Sequence, residues 1–205
     1  MAAHAETAAP AGDHHKPVRS SNLPDIKLMM WVFLASDCMM FGAMIGSYLV
    51  YKGRSLVGPY PLDLFDIPLT TISTFVLLMS SFLMVLALDA IRKNDLGKYR
   101  LWMLGVIVFG TVFLGFQVFE FSHFMEMGLF QKTNLFGSSF YMLTGTHGIH
   151  VAVGILWLIA LLIASFIRPT NKLDAVYTEV AGLYWHFVDI VWIVIFTVVY
   201  LVDFV

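Results

Sequence analysis

An all-α membrane protein, a bundle of five transmembrane helices, is predicted by three observations on the 205-residue chain. Apolar residues make up 59% of it, and only 13% are charged. Mean hydropathy is +0.80. The apolar residues fall into five long runs separated by short charged or Pro/Gly-containing breaks. A soluble domain carries about 25% charged residues, so this chain is too poor in charge to cover a soluble surface. A net charge of −2 gives no basic footprint for nucleic acid. The single cysteine, Cys38, excludes a disulfide framework, a Cys-rich zinc site, an iron–sulfur cluster and haem attached through C-x-x-C-H.

Residues 1–25 are rich in Ala, His, Pro, Gly and Ser and form a separate polar segment. No apolar core follows the start, so no cleavable signal peptide is expected. His4, His14 and His15 suggest a metal, but a flexible polar tail is the plainer reading. Residues 26–205 then form one transmembrane domain, without internal repeat. A bilayer core needs about 20 apolar residues in helix. The spans are placed at about 28–51, 68–91, 101–125, 139–167 and 179–203. Short breaks between them make consecutive helices antiparallel neighbours.

Orientation follows from the basic residues. Lys16, Arg19, Lys27, Arg92, Lys93, Lys98, Arg100, Arg168 and Lys172 fall on one side, and Lys52, Arg54 and Lys132 on the other. The N-terminus is therefore expected in the cytoplasm and the C-terminus outside, with the chain crossing a bacterial inner membrane several times.

Polar residues inside the spans are the informative ones, because a charge at the bilayer centre costs at least about 2.5 kcal/mol. They are Asp37; Gln117, Glu120 and His123; Thr144, Thr146, His147 and His150; His186 and Asp189. Most stand three residues apart, on one helix face. Counted from the predicted span ends, they sort into two layers. Asp37, His186 and Asp189 form an inner layer, and Glu120, His123, His147 and His150 an outer one. Asp37, roughly 14 Å into its span, needs a partner to offset its burial, and His186 or another donor of the inner layer is the expected one. Glu120 is expected to bond His147 or His150. Gly42 and Gly46 have the spacing of a close-packing motif. Trp31, Tyr51, Trp102 and Trp185 suit an aromatic belt at the membrane surface.

Several chemistries fit the outer layer. Glu120-x-x-His123 is half of a di-iron carboxylate site, but such a site needs a second Glu-x-x-His and two more Glu. Two facing His could ligate a haem. The polar groups could line a proton or ion path, as in a small stand-alone transporter. The plainest reading is a network of interhelical hydrogen bonds.

Two stretches add a resemblance. Residues 137–151, with Thr144, Gly145, Thr146, His147, Gly148 and His150, and residues 184–192, with Trp185, His186, Asp189 and Trp192, resemble subunit III of the haem-copper terminal oxidases. Phe33 to Asp37 with Phe41, and Phe116 to Phe121, are similar too, so the likeness covers about residues 28–204. It implies an accessory subunit of a respiratory oxidoreductase complex that reduces oxygen to water and pumps protons. The chain itself would hold no haem, copper or other redox centre, no catalytic residue and no metal ligand. It would pack on catalytic subunit I, contact subunit II and small subunits, and bind phospholipid. The intramembrane His would then be structural, and Trp185, Trp192, Gly145 and Gly148 packing residues. A related five-helix protein accompanies nitric oxide reductases and shares this implication. The family's longer form has seven helices; this chain has the shorter five. Where the family often has Glu, this chain has Asp37. A His pair found in longer members is replaced near Ala87-Leu88-Asp89.

Overall fold

The computed structural model describes residues 25–51, 67–129, 135–167 and 172–201. The polar tail with its three His, the remaining linking segments and the basic residues within them lie outside the described residues. The described chain is helical: α1 (Asp25–Tyr51), α2 (Ile67–Arg92), α3 (Leu96–Glu126), α4 (Leu135–Ile167) and α5 (Lys172–Ile195), which continues as a π-helical stretch, Phe196–Leu201. Five helices are long and apolar enough to cross a membrane.

Local chemistry sets the ends. α2 stops at Asn94, whose φ is 58°, a left-handed conformation that Asn tolerates better than most residues. The Asp95 amide then bonds the Ala90 carbonyl (3.0 Å) and the Asn94 amide that of Ile91 (3.1 Å), closing a Schellman turn. Asp95 caps α3 at once, accepting from the Lys98 amide at 3.1 Å. α3 ends the same way at Gly128, with φ 86°. There the Leu129 amide reaches the Phe124 carbonyl at 2.9 Å, and both side chains are buried. The Tyr141 hydroxyl on α4 donates to the Leu129 carbonyl at 2.9 Å, tying this turn to the next helix.

α3 and α5 start at Leu96 and Lys172, earlier than expected at 101 and 179. Charged residues such as Lys98 and Arg100 can occupy a first turn while their heads reach out of the apolar zone. One consequence is that Trp185 lies deep in α5 rather than in an aromatic belt.

α2, α3, α4 and α5 pack in a closed ring, each against the next and α5 against α2; α1 lies mainly in the seam between α4 and α5. At one end Lys27 of α1 and Arg92 of α2 both pair with Glu179 of α5, at 2.6 and 3.0 Å. At that end, too, Arg100 of α3 donates to Ser165 of α4. The helices therefore alternate up and down.

Candidate functional site: a polar and aromatic core

α5 carries the centre of the site, and Trp185 is its hub. This ring is 1% exposed. A Cβ added at Gly110 of α3 would lie 2.7 Å from the ring, and one at Gly154 of α4 2.9 Å from it. The indole N–H donates to Ser80 Oγ of α2 at 3.0 Å. One side chain thus joins four helices, and the two glycines are there because backbone must approach the ring. Two turns on, the Trp192 N–H donates to Thr74 Oγ1 of α2 at 2.9 Å. The two indoles are spaced along α5 as two hydroxyls are along antiparallel α2.

His147 is fully buried. It stacks on Trp192 (centroids 5.0 Å, planes 27°), with Phe113 edge-on at 6.0 Å and Phe41 at 6.4 Å. Among the described residues neither ring nitrogen has a hydrogen-bond partner, so His147 acts as an aromatic packing unit. Beside it the Gln117 amide donates to the Thr144 carbonyl at 2.7 Å. That contact needs Gly148, where an added Cβ would meet the Gln117 amide at 2.8 Å.

His150 Nδ1 lies 2.8 Å from the Thr146 carbonyl, which fixes the ring proton on that nitrogen. Nε2 faces Asp37 Oδ2 at 3.6 Å, just beyond hydrogen-bond range. Tyr184 donates to the His150 carbonyl at 3.0 Å, and Phe41 packs on the imidazole at 5.2 Å. Asp37 therefore faces His150 rather than the expected His186. The two-layer sorting fails because α4 starts at Leu135, which puts His150 about 23 Å along its helix, mid-span like Asp37.

Glu120 was expected on a His of α4. Instead Thr70 of α2 donates to Oε1 at 3.0 Å and Tyr200 to Oε2 at 3.1 Å. The π-helical end of α5 delivers Tyr200, a residue the apolar run did not single out. His123 departs further: it is exposed, so it stands outside this network. Buried positions on α3 run from Gln117 to Glu120 to Phe124, and the fourth residue on, not the third, turns inward.

His186 and Asp189 lie on α5 against α2. His186 Nδ1 is hydrogen-bonded to Ser81 Oγ. Asp189 is 3% exposed, and its carboxyl faces the same Ser81 hydroxyl. Gly145, expected in packing, meets nothing within 4 Å, and neither do Gly42 and Gly46. These three approach no other helix of the described chain; their faces turn outward.

A groove of about 350 Å³ opens between α1, α4 and α5, lined by Met30, Phe33, Ile149, His150, Val153, Trp157 and Tyr184. Its wall is almost wholly apolar, with His150 as the polar point. Among the described residues, no three of His, Cys, Asp and Glu are grouped to hold a metal ion.

The arrangement links helices through polar and aromatic side chains. The family model for cytochrome c oxidase subunit III matches residues 4–203. A probable quinol oxidase subunit 3 of Staphylococcus saprophyticus is 40% identical over 177 residues, covering 86% of this chain and 88% of its own. Cytochrome c oxidase subunit 3 of Bacillus sp. strain PS3 is 40% identical over 174 residues, covering 85% and 84%. That of Alkalihalophilus pseudofirmus is 42% identical over 177 residues, covering 85% of each chain. With a match along almost its whole length and five helices fit to span a membrane, the chain belongs to the cytochrome c oxidase subunit III family.

Proposed function

We propose that this chain is a non-redox accessory subunit of a respiratory haem-copper oxidase, packed on catalytic subunit I. The observation that carries this is the use made of its intramembrane polar groups. Trp185, Trp192, Gln117 and Glu120 each bond another helix. Membrane bundles use such bonds to lock helices together. Subunit II and small subunits would complete the assembly. Relatives named for quinol and for cytochrome c stand at nearly the same identity. That suits an electron donor bound on other subunits.

The groove beside His150 suits a phospholipid acyl chain. It is apolar, is lined by Tyr184 and Trp157 among others, and is partly open. A cytoplasmic N-terminus is part of the proposal and rests on the excess of basic residues on that side. The test is purification through a tag on this chain, from a mild detergent, with a haem spectrum and identification of co-purifying chains. A haem-bearing polytopic partner is expected. A stable assembly of this chain alone, without haem, would overturn the reading.

A further inference from the structure

Four imidazoles lie in the predicted spans, and three are accounted for. His147 is enclosed by aromatic rings. His150 faces Asp37. His123 is on the surface near the end of α3. His186 differs from all of them. It is half-buried and stands near the middle of α5, about 21 Å from the start at Lys172. Its Nδ1 is tied to Ser81 of α2, while its Nε2 has no partner among the described residues.

Ser81 Oγ faces both His186 Nδ1 and the Asp189 carboxyl, which stands on the same helix as His186. With Nδ1 engaged there, Nε2 is the ring's remaining hydrogen-bonding atom. It stands in mid-membrane on a partly open surface. Around it the surface is apolar: Leu78 and Val85, a turn either side of Ser81, are 42% and 52% exposed, and Ile190, a turn beyond His186, is 60% exposed. Behind it lies the Asp189 carboxyl, beside Ser81. Acyl chains offer no hydrogen-bonding group, and a headgroup lies about 15 Å from the centre of a 30 Å hydrocarbon layer.

We infer that the α2–α5 face centred on His186 is a docking surface for a transmembrane helix of another oxidase subunit, which brings a hydrogen-bonding side chain to His186 Nε2. The inference rests on the proposed accessory role and adds where, and through what chemistry, the chain is held. An apolar ring around one shared hydrogen bond is how membrane helices recognise each other without a hydrophobic driving force. The partner group is a side-chain hydroxyl, amide or carboxyl.

The experiment uses the assembled complex. A photo-reactive benzoylphenylalanine is placed at Ile190 and, as a comparison, at Ile163 on the outer side of α4, which is 52% exposed. Irradiation is expected to join the Ile190 variant to another subunit. In parallel, His186→Gln and His186→Leu complexes are purified through a tag on a different subunit. Gln keeps a polar amide in place, able to donate or accept, and should be retained near the normal level. Leu should be retained about fivefold less, the weight of one interhelical hydrogen bond in a membrane. Equal retention of Leu and Gln, or only lipid adducts from Ile190, overturns the inference. If the Leu variant is already depleted in the membrane, the Ile190 adduct decides alone. Haem that co-purifies while protein adducts arise only from Ile163 defeats the docking surface and leaves the accessory role standing. Failure of the unaltered chain to co-purify with haem defeats the accessory role itself.

Discussion

Gly110→Ala places a methyl carbon 2.7 Å from the Trp185 ring and 3.3 Å from Ile155. Carbon atoms rest at about 3.5–4.0 Å, so the ring must retreat by about 1 Å. It has no direction in which to do so. Gly154 stands as near its other edge, and the N–H is held by Ser80. Overpacking of a rigid core costs about 1–3 kcal/mol. The measurement is unfolding of the purified chain in mixed micelles against increasing dodecyl sulfate, followed by tryptophan fluorescence. Trp185→Phe supplies the control. Alone it loses ring area and one hydrogen bond, but in the Gly110→Ala background its smaller ring should relieve the clash. The double-mutant cycle should therefore show a coupling of at least about 0.5–1 kcal/mol. Strict additivity, or a Gly110→Ala chain as stable as the parent, would refute the wedge.

Glu120→Ala should destabilise by about 1–3 kcal/mol, because the buried Thr70 and Tyr200 hydroxyls lose their acceptor; Glu120→Gln should recover most of this in the same unfolding assay. Asn94→Gly should be neutral or gain up to about 1 kcal/mol, and Asn94→Ala should lose a similar amount, since φ is 58° there. The Lys98 ammonium, then its amide, hold the Asp95 carboxyl below the usual 3.8. Its capping contribution is therefore complete above that pH and fades as acid takes the carboxylate through its lowered value; Asp95→Asn should abolish this dependence in a pH series of thermal melts. Asp37→Ala should leave the first turnovers of an assembled oxidase within about twofold of normal by oxygen uptake, since interhelical polar groups give structure rather than electron transfer. Abolished turnover in a fully assembled complex would contradict the non-redox assignment.

Five helices were legible because their signal is thermodynamic and long: each run is uncharged over most of a bilayer width. The polar members of the core were legible for the same reason, being costly where they stand. Their pairing was not. Depth counted from a predicted helix start carries the error of that start, and the five-residue shift of α3, the four-residue shift of α4 and the seven-residue shift of α5 each exceed a helical turn. Hence Asp37 was matched with His186 when His150 faces it, and Glu120 with His when Thr70 and Tyr200 hold it. A signal for the missing partners does exist on α2. Thr70, Thr74, Leu77, Ser80 and Met84 recur every three or four residues and are all buried. A stripe that mixes small hydroxyls into an apolar helix marks the side that receives indole N–H groups and carboxylates. The wedge of Trp185 between Gly110 and Gly154 had no comparable sign, because glycines are frequent in membrane helices and here Gly42, Gly46 and Gly145 touch nothing.

The placement of α1 has a consequence for the order in which the chain is made. Its inward face meets α4 and α5, the last helices to leave the ribosome, whereas α1 leaves first. Asp37 therefore enters the bilayer more than a hundred residues before His150 is synthesised. In that interval its carboxyl carries the insertion cost of about 2.5–3.5 kcal/mol, offset only by the Leu, Met and Phe of its own helix. The α2–α3 hairpin, closed by one tight turn, can assemble at once; α1 must wait beside the insertion machinery or in the lipid until the seam that receives it exists. Truncation after α3 would leave α1 without that seam, and the released helix, with its bare aspartate, becomes a substrate for membrane quality control.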